Sequence, residues 1–309
     1  MKKALIIGTG VLGLTLGRRL SLDGYELIYY NRSGELKFSP PLNAGAKYTC
    51  IGIDLLNNNK ADFEAIAGID AVYFCAAPKY WAWQDELVPL VRNAMSVAAK
   101  AGVPFIYADN LYAYGKPSSQ ISEETTREPQ TRKGIARNQA LELVLQGHQR
   151  GELKAVVVQS SDFYGPGVEI SMVGKSLFDS VKNGQPVNCL GNVDKLHSFT
   201  YINDFADAMV RVKNDSHSFG QIWIAPCAEP ISMRKFVGLV GDNLNQNVKL
   251  RVAPTFLFWL LGLTNKPIRE LREVDYLYYD DFVVDSKKFE AHFQQKPTSI
   301  ADGIRGTIA

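Results

Sequence analysis

Short apolar runs alternate with amphipathic segments through the first two thirds of the chain. Lys3 to Ile7 (KALII) is a compact apolar run closed by glycines, the profile of a strand buried on both faces. Val11 to Leu22 then places Leu12, Leu16, Arg19 and Leu20 at helical spacing, and Asp23-Gly24 stops it. Glu26 to Tyr30 predicts a second strand and Tyr48 to Ile53 a third. Asp62 to Ala67 is expected as a helix, Ala71 to Cys75 as a fourth strand, and 84–101 as a long helix closed by Gly102-Val103-Pro104. Pro104 to Ala108 follows as a strand, Arg137 to Gln149 as a helix and Lys154 to Gln159 as a sixth strand. Strands and helices taking turns in this way predict an α/β fold, a doubly wound parallel sheet.

The rhythm breaks after about residue 165. Gly165-Pro166-Gly167 marks a loop, Val168 to Val181 is expected as helical, Phe199 to Ile202 as extended, Asp204 to Val212 as helical and Ile222 to Ala225 as a strand. The remainder mixes short elements with many aromatics. The expected division is a sheet domain over 1–165 plus about 196–225, with 166–195 and 226–309 forming a smaller C-terminal substrate lobe.

Composition narrows the class. The chain has 309 residues, 46% hydrophobic and 21% charged, enough apolar sequence for a large core and too much for a disordered chain. Its 34 Lys and Arg against 32 Asp and Glu leave a formal net charge of +2, without blocks of like charge, which argues against a nucleic-acid partner. Cys50, Cys75, Cys189 and Cys227 lie far apart, with no CxxC pair and no metal-type spacing to the four histidines. They predict free thiols in a reducing cytoplasm and no metal site. The apolar N-terminus is cut by Gly8, Gly10 and Gly13 and then meets Arg18-Arg19, unlike a signal peptide. Val252 to Leu263 is the most apolar later stretch, but it holds Pro254 and is too short for a bilayer, so no membrane partner is expected. Phe256, Phe258 and Trp259 read as core or dimer contact, which leaves a homodimer open.

The glycines at the first strand's end carry the clearest chemistry. Gly8-Thr9-Gly10-Val11-Leu12-Gly13 supplies GxGxxG between a predicted strand and a predicted helix, the dinucleotide-binding (Rossmann) fingerprint. Gly8 allows the tight turn, Gly10 lets the backbone approach a pyrophosphate, and Gly13 lets the helix pack on the sheet. The pyrophosphate then sits on the free N–H groups at the helix start. After the second strand, Asn31-Arg32-Ser33 offers no carboxylate to a ribose 2′-hydroxyl, whereas Arg32 with Ser33 suits a 2′-phosphate. That selects NADP, with NAD as the alternative and a solvated loop arginine as the bland one. Asp54-Leu55 is expected at the adenine, and Ala76 and Ala77 where the cofactor ribose nears the backbone. Both segments read equally well as ordinary strand-end turns.

Together these motifs resemble the extended short-chain dehydrogenase/reductase superfamily, in its NAD-dependent epimerase/dehydratase group. The resemblance runs through Tyr107-Ala-Asp-Asn-Leu-Tyr-Ala-Tyr114-Gly115, Ser161-Asp-Phe-Tyr164-Gly165-Pro166-Gly167, Phe199-Thr-Tyr-Ile-Asn203-Asp204 and Pro297-Thr-Ser-Ile-Ala-Asp-Gly303-Ile, nearly the whole chain. It implies a catalytic Tyr-x-x-x-Lys pair on one helical face with a Ser or Thr upstream. The Tyr donates and accepts the proton; the Lys binds the nicotinamide ribose and lowers the Tyr pKa. This chain departs at all three positions: Asn110 stands for the Ser or Thr, Lys133 for the Tyr and Arg137 for the Lys. No Tyr occurs between Tyr114 and Tyr164. The chain looks like an atypical member.

Several residues remain candidates for the missing chemistry. Arg137 suits the ribose and phosphates but cannot release a proton at useful pH. Burial beside a second cation would ready Lys133 for acid/base work. Asn110 suits a hydrogen bond to a substrate carbonyl. Tyr112 or Tyr114 could supply the phenol, or Tyr114 simply packs. Ser161, Asp162 and Phe163 follow the sixth strand, at the end of the sheet where ligands bind in such folds. His197 reads as structural or as a pocket residue. Pro78 with the aromatic cluster Tyr80, Trp81 and Trp83 is either a pocket wall or packing. The expected function is hydride transfer on a small hydroxyl/carbonyl substrate by an NADP(H)-binding oxidoreductase/epimerase-like protein. The alternative is a non-catalytic NAD(P)-binding redox sensor or regulatory scaffold.

Overall fold

The computed structural model describes residues 2–36, 45–57, 61–254, 263 and 266–309. Phe256, Phe258 and Trp259 lie outside the described residues. The chain divides into two compact units, one of Met1–Asn110, Ile135–Gln159 and Phe205–Trp223, the other of Leu111–Gly134, Ser160–Asp204 and Ile224–Ala309.

In the first unit the strands β1 (Lys3–Ile7), β2 (Glu26–Asn31), β3 (Tyr48–Gly52), β4 (Ala71–Phe74), β5 (Phe105–Asn110) and β6 (Ala155–Ser160) join the strand Ile222–Ile224. Among the described residues they make one seven-stranded sheet, in the order Ile222–Ile224, β6, β5, β4, β1, β2, β3. β1 runs parallel to both β2 and β4, β3 parallel to β2, and β5 parallel to β4. The order reverses at β1, so right-handed crossovers place helices on both faces of the expected doubly wound Rossmann sheet. Ala4, Leu5 and Ile6 of β1 and all of β4 are fully buried, which is why these runs carry no polar alternation.

Helix α1 (Val11–Leu22) buries Leu12, Gly13, Leu16, Gly17 and Leu20. Helix α2 (Trp83–Ala101) ends at Gly102, whose φ of +67° terminates it in the left-handed region. Helix α3 (Arg132–Gln149) begins five residues earlier than the hydrophobic pattern indicates, because the Thr131 hydroxyl caps it by accepting from the Gly134 N–H at 3.0 Å.

Two expected helices differ. Residues 63–68 form turns where a helix is expected over 62–67; the Asp62 carboxylate accepts from the Ala65 N–H, and Gly68 at φ +74° ends the segment before a helix can propagate. Residues 168–174 form a loop closed by Lys175 N–H to Val168 O at 2.8 Å, and the helix runs only over Lys175–Lys182. Gly174 at the junction approaches the Glu169 backbone too closely for a side chain.

In the second unit Phe163–Tyr164 pairs in parallel with Thr200–Tyr201, which joins the FYGPG and FTYIND segments. Gly165 sits at φ +138° against Ile202 and Tyr201, where a Cβ would be 2.5 Å from Ile202 Cγ2. The Tyr164 ring meets Phe236 edge-on at 5.3 Å within a core that includes Leu177, Phe199 and Ile304. The closing helix Ile300–Ile308 is capped by Ser299, and its Gly303 leaves room for the Tyr164 hydroxyl. Asp204 accepts from both the backbone N–H and the hydroxyl of Thr298, at 2.7 and 2.8 Å. No helix among the described residues is long and apolar enough to cross a membrane.

Candidate functional site

The Gly8–Gly13 turn is built by steric exclusion. Gly8 has φ +105°, and a Cβ there would stand 2.7 Å from Ala76 N. A Cβ on Gly13 would overlap the Gly8 carbonyl oxygen. Gly10 is different: it has φ −70°, is exposed, and has nothing within 4 Å of where its Cβ would be. It is the N-cap of α1 and supplies no side-chain cap to the helix's free N–H groups. Open space, free donors and the positive end of the helix dipole coincide there, so the residues fit a dinucleotide pyrophosphate. Thr9, Val11 and Leu12 complete the turn, with Leu12 itself buried and contributing backbone.

The β2 end is a polar loop. Asn31 Nδ2 donates to Thr9 Oγ1 at 3.0 Å and to Glu35 O at 2.7 Å, and the Gly34 N–H donates to Asn31 Oδ1 at 2.7 Å. Asn31 is therefore a bracket between this loop and the glycine turn. The Ser33 hydroxyl donates to Glu35 O, and Arg32 is exposed. Asp54 lies below the usual carboxylate range, through Asn57, the Leu56 and Asn57 backbone N–H groups and, last, the Arg32 charge. Leu55 is buried, and its carbonyl accepts from Asn93. Ala76 is half-buried, Ala77 exposed, and Trp81 exposed beneath Lys79.

Lys133 and Arg137, four residues apart on α3, meet different surroundings. Lys133 is 3% exposed; its ammonium is ion-paired with Glu270 and, at 2.7 Å, with Glu273. Its backbone N–H also donates to Glu273, at 3.1 Å. Acid/base readiness called for a second cation beside Lys133, but two carboxylates face it. The Glu273 carboxyl is lowered: burial works against its charge, and Lys133 more than offsets this.

Arg137 is equally enclosed in the first unit. Its Nη1 donates to Asp109 Oδ1 at 3.1 Å, and its Cζ lies 4.0 Å from the Trp83 ring centroid. Asp109 also accepts from Gln159 Nε2 at 3.1 Å and from the Tyr107 hydroxyl at 3.3 Å. Burial pushes the Asp109 carboxyl up and Arg137 pulls it back. Burial opposes the Arg137 charge too, but Tyr107 and Asp109 outweigh it and hold the guanidinium above its ordinary value. Arg137 Nε is buried and has no hydrogen-bond partner among the described residues.

The remaining candidates separate cleanly. Asn110 ends β5, half-buried, and its carbonyl accepts from Gln159. Tyr114 is 2% exposed in a cluster with Leu111, Ile121 and Phe282, while Tyr112 is only partly buried against that cluster. The Ser161 hydroxyl donates to Ser198 O. Asp162 Oδ2 lies 3.1 Å from His197 Nε2, and the imidazole stacks between Phe199 and Phe282 at 4.6 and 5.3 Å. Phe163 is half-buried in its strand. The structure thus joins Asp162 to His197, which the sequence offered separately. Asp109, Gln159, Glu270 and Glu273 were not anticipated. A carboxylate within the apolar PFIYAD run was a legible sign for Asp109; nothing marked the two glutamates.

A model of the NAD dependent epimerase/dehydratase family matches residues 4–223. The chain belongs to this family. Its membership covers the glycine turn, α3 and the FYGPG segment. The protein named "Uncharacterized UDP-glucose epimerase YtcB" of Bacillus subtilis (strain 168) is 25% identical over 217 residues, 67% of this chain and 68% of that protein. The fold is similar to that of a UDP-glucuronic acid 4-epimerase from Bacillus cereus in complex with UDP-glucuronic acid and NAD. The TM-score is 0.77 at 17% identity, covering 99% of this chain and 97% of that one. A UDP-glucose 4-epimerase of Thermus thermophilus in complex with NAD gives 0.78 at 16%, over 99% and 97%. At these identities the likeness shows the fold. Family membership supports an NAD(P)-type nucleotide cofactor and epimerase/dehydratase-type redox chemistry.

Proposed function

We propose that this family member is an NADP(H)-using oxidoreductase that transfers hydride to or from a small hydroxyl/carbonyl substrate. The observation that carries it is the Gly10 position: exposed, unfilled, and at the uncapped start of α1. Thr9, Gly10 and the backbone of Val11, Leu12 and Gly13 bind the pyrophosphate. Arg32, with Ser33, takes the 2′-phosphate, since no carboxylate occupies the end of β2. The bound nicotinamide supplies the hydride acceptor or donor. A hydroxyl oxidised to a carbonyl gives up one hydride and one proton, and the proton needs a partner from the protein.

Tyr112 is the proton partner of choice. Tyr112 is only partly buried, whereas Tyr114 is 2% exposed and Lys133 is held by two carboxylates. Asn110, at the end of β5, orients the substrate carbonyl. Titration with NADPH and NADH, followed by nicotinamide absorbance against sugars, sterols and ketones, tests this. Tighter NADPH binding with turnover of one class supports it, and tighter NADH binding refutes the cofactor choice.

One observation favours a second reading. Both side chains in the Tyr and Lys positions are locked into ion pairs with protein carboxylates. A chain that binds the dinucleotide without turnover, as a sensor or scaffold, would bind NADPH tightly and convert nothing in the panel.

A further inference from the structure

Arg137 stands where the family resemblance puts a ribose-binding lysine, yet its contacts run elsewhere. One edge of the guanidinium is pinned by Asp109, which is itself held by Gln159 and Tyr107. One face lies over Trp83, with 4.0 Å between Cζ and the ring centroid, and both residues are nearly fully buried. The Trp83 indole N–H donates to Pro78 O at 3.1 Å. Pro78 closes the turn Cys75-Ala76-Ala77-Pro78, which leaves the sheet after the Cys75 N–H donates to Ile7 O at 2.8 Å. That turn touches the nucleotide loop: the Gly8 Cα faces Ala76 so closely that a Cβ would stand 2.7 Å from Ala76 N and 2.8 Å from its Cα.

These contacts form one line from Asp109 through Arg137, Trp83 and Pro78 to Ala76 and Gly8. We infer that Arg137 is a positioning residue for the dinucleotide, which acts through Trp83 to fix the 75–78 turn against the glycine loop. This rests on the cofactor site proposed above and assigns Arg137 a different task from holding the ribose itself. The residue type follows from the task. A guanidinium is flat, stacks on an indole face and grips a carboxylate along its edge at the same time. A lysine ammonium would neutralise Asp109 but cannot also cover the ring. The indole is needed as well, because a phenyl ring would accept the stack but could not hold Pro78 O.

The test is a double-mutant cycle on cofactor dissociation constants, using Arg137→Lys, Trp83→Phe and the pair, with the melting temperature of each apo protein recorded. Arg137→Lys is expected to weaken NADPH binding about tenfold. In the Trp83→Phe background the same change should cost at most about twofold, because the link to Pro78 is already gone. Hydrogen exchange of the apo protein supplies a readout free of cofactor: Arg137→Lys should speed exchange in peptides covering 75–83 and 8–14. Full, additive loss in both backgrounds would mean direct cofactor contact and would overturn the inference. Unchanged affinity with a lowered melting temperature would reduce Arg137 to a stability role and overturn it too. Should Arg137→Lys not fold, Trp83→Phe decides alone: unchanged NADPH affinity and unchanged exchange at 8–14 refute the proposal. Wild-type protein that binds neither NADPH nor NADH refutes the cofactor site, and this inference falls with it, whereas wild-type binding with an additive cycle refutes the inference alone.

Discussion

The Lys133 ammonium lies 2.7 Å from the Glu273 carboxylate, and the Lys133 backbone N–H donates to the other oxygen of the same side chain. The start of α3 and the segment around Glu273 are thereby fastened twice, with Glu270 as a further anion on the ammonium. Lys133→Met would strand the buried Glu270 and the half-buried Glu273, so a loss of about 2–4 kcal/mol in stability is expected, less than for a fully buried pair. Lys133→Tyr, which restores the family residue, should destabilise similarly and gain no turnover. Adding Glu270→Gln and Glu273→Gln to Lys133→Met should recover part of the loss, as chemical denaturation would show.

The same pair sets a pH dependence. The Glu273 carboxyl is lowered in the folded chain, so it binds protons less readily there than when unfolded. Its contribution is complete above the unfolded value near 4.5 and is lost as pH falls through the lower folded value. Denaturation midpoints measured between neutrality and acid should therefore fall in wild type below about pH 4.5, and fall less in Lys133→Met. Equal slopes in the two proteins would contradict the pairing.

The sheet was legible because buried parallel strands leave a clear signature: KALII and ELIYY are apolar after a charged first residue, AVYFC is apolar throughout, and glycines end the first of them. The glycine turn was legible for the same local reason. The helix expected over 62–67 is absent and the one expected over 168–181 begins only at Lys175, because Gly68 and Gly174 set the backbone there. The surroundings of Lys133 could not be read at all. Its partners Glu270 and Glu273 lie some 140 residues away, and surface glutamates look alike in sequence. The Asp162–His197 pair was half legible: both residues stood out, but a contact across 35 positions depends on the pairing of Phe163–Tyr164 with Thr200–Tyr201.

Gly10 and Gly13 should respond oppositely to alanine. Gly10 has a φ that any residue adopts and empty space at its Cβ, so Gly10→Ala should leave the apo protein's melting temperature within about 1 °C. The added methyl fills the pyrophosphate's place, and cofactor affinity should fall at least about tenfold. Gly13→Ala drives a methyl into the Gly8 carbonyl and should unfold or strongly destabilise the first unit. Calorimetric melting with NADPH titration separates the two. Unchanged affinity in Gly10→Ala would place the cofactor elsewhere.

Arg32 is exposed, and its charge is the smallest of the influences that lower Asp54, so its removal should not disturb the fold. Arg32→Ala should weaken NADPH about tenfold, the scale of one charge-assisted phosphate contact, and change NADH by no more than about twofold. The NADPH loss should shrink as salt rises, because an exposed charge is screened. Parallel titrations of both cofactors at two ionic strengths check this; equal losses for the two would remove the 2′-phosphate assignment.

Tyr112 and Tyr114 sit two residues apart in one short helical turn, and their burial divides their roles. Tyr114 is nearly fully buried with Leu111, Ile121 and Phe282, whereas Tyr112 is only partly buried. Tyr112→Phe should lower kcat by about a hundredfold or more, the usual share of a general acid/base, with cofactor affinity unchanged. Tyr114→Phe keeps the packing surface and should hold kcat within a few-fold. The pH profile gives the stricter check, since losing the proton partner flattens a limb of the kcat curve that a packing defect would leave in place. A kcat unchanged in Tyr112→Phe, with the limb intact, would hand the proton to another group, and the Asp162–His197 pair would be the next to vary.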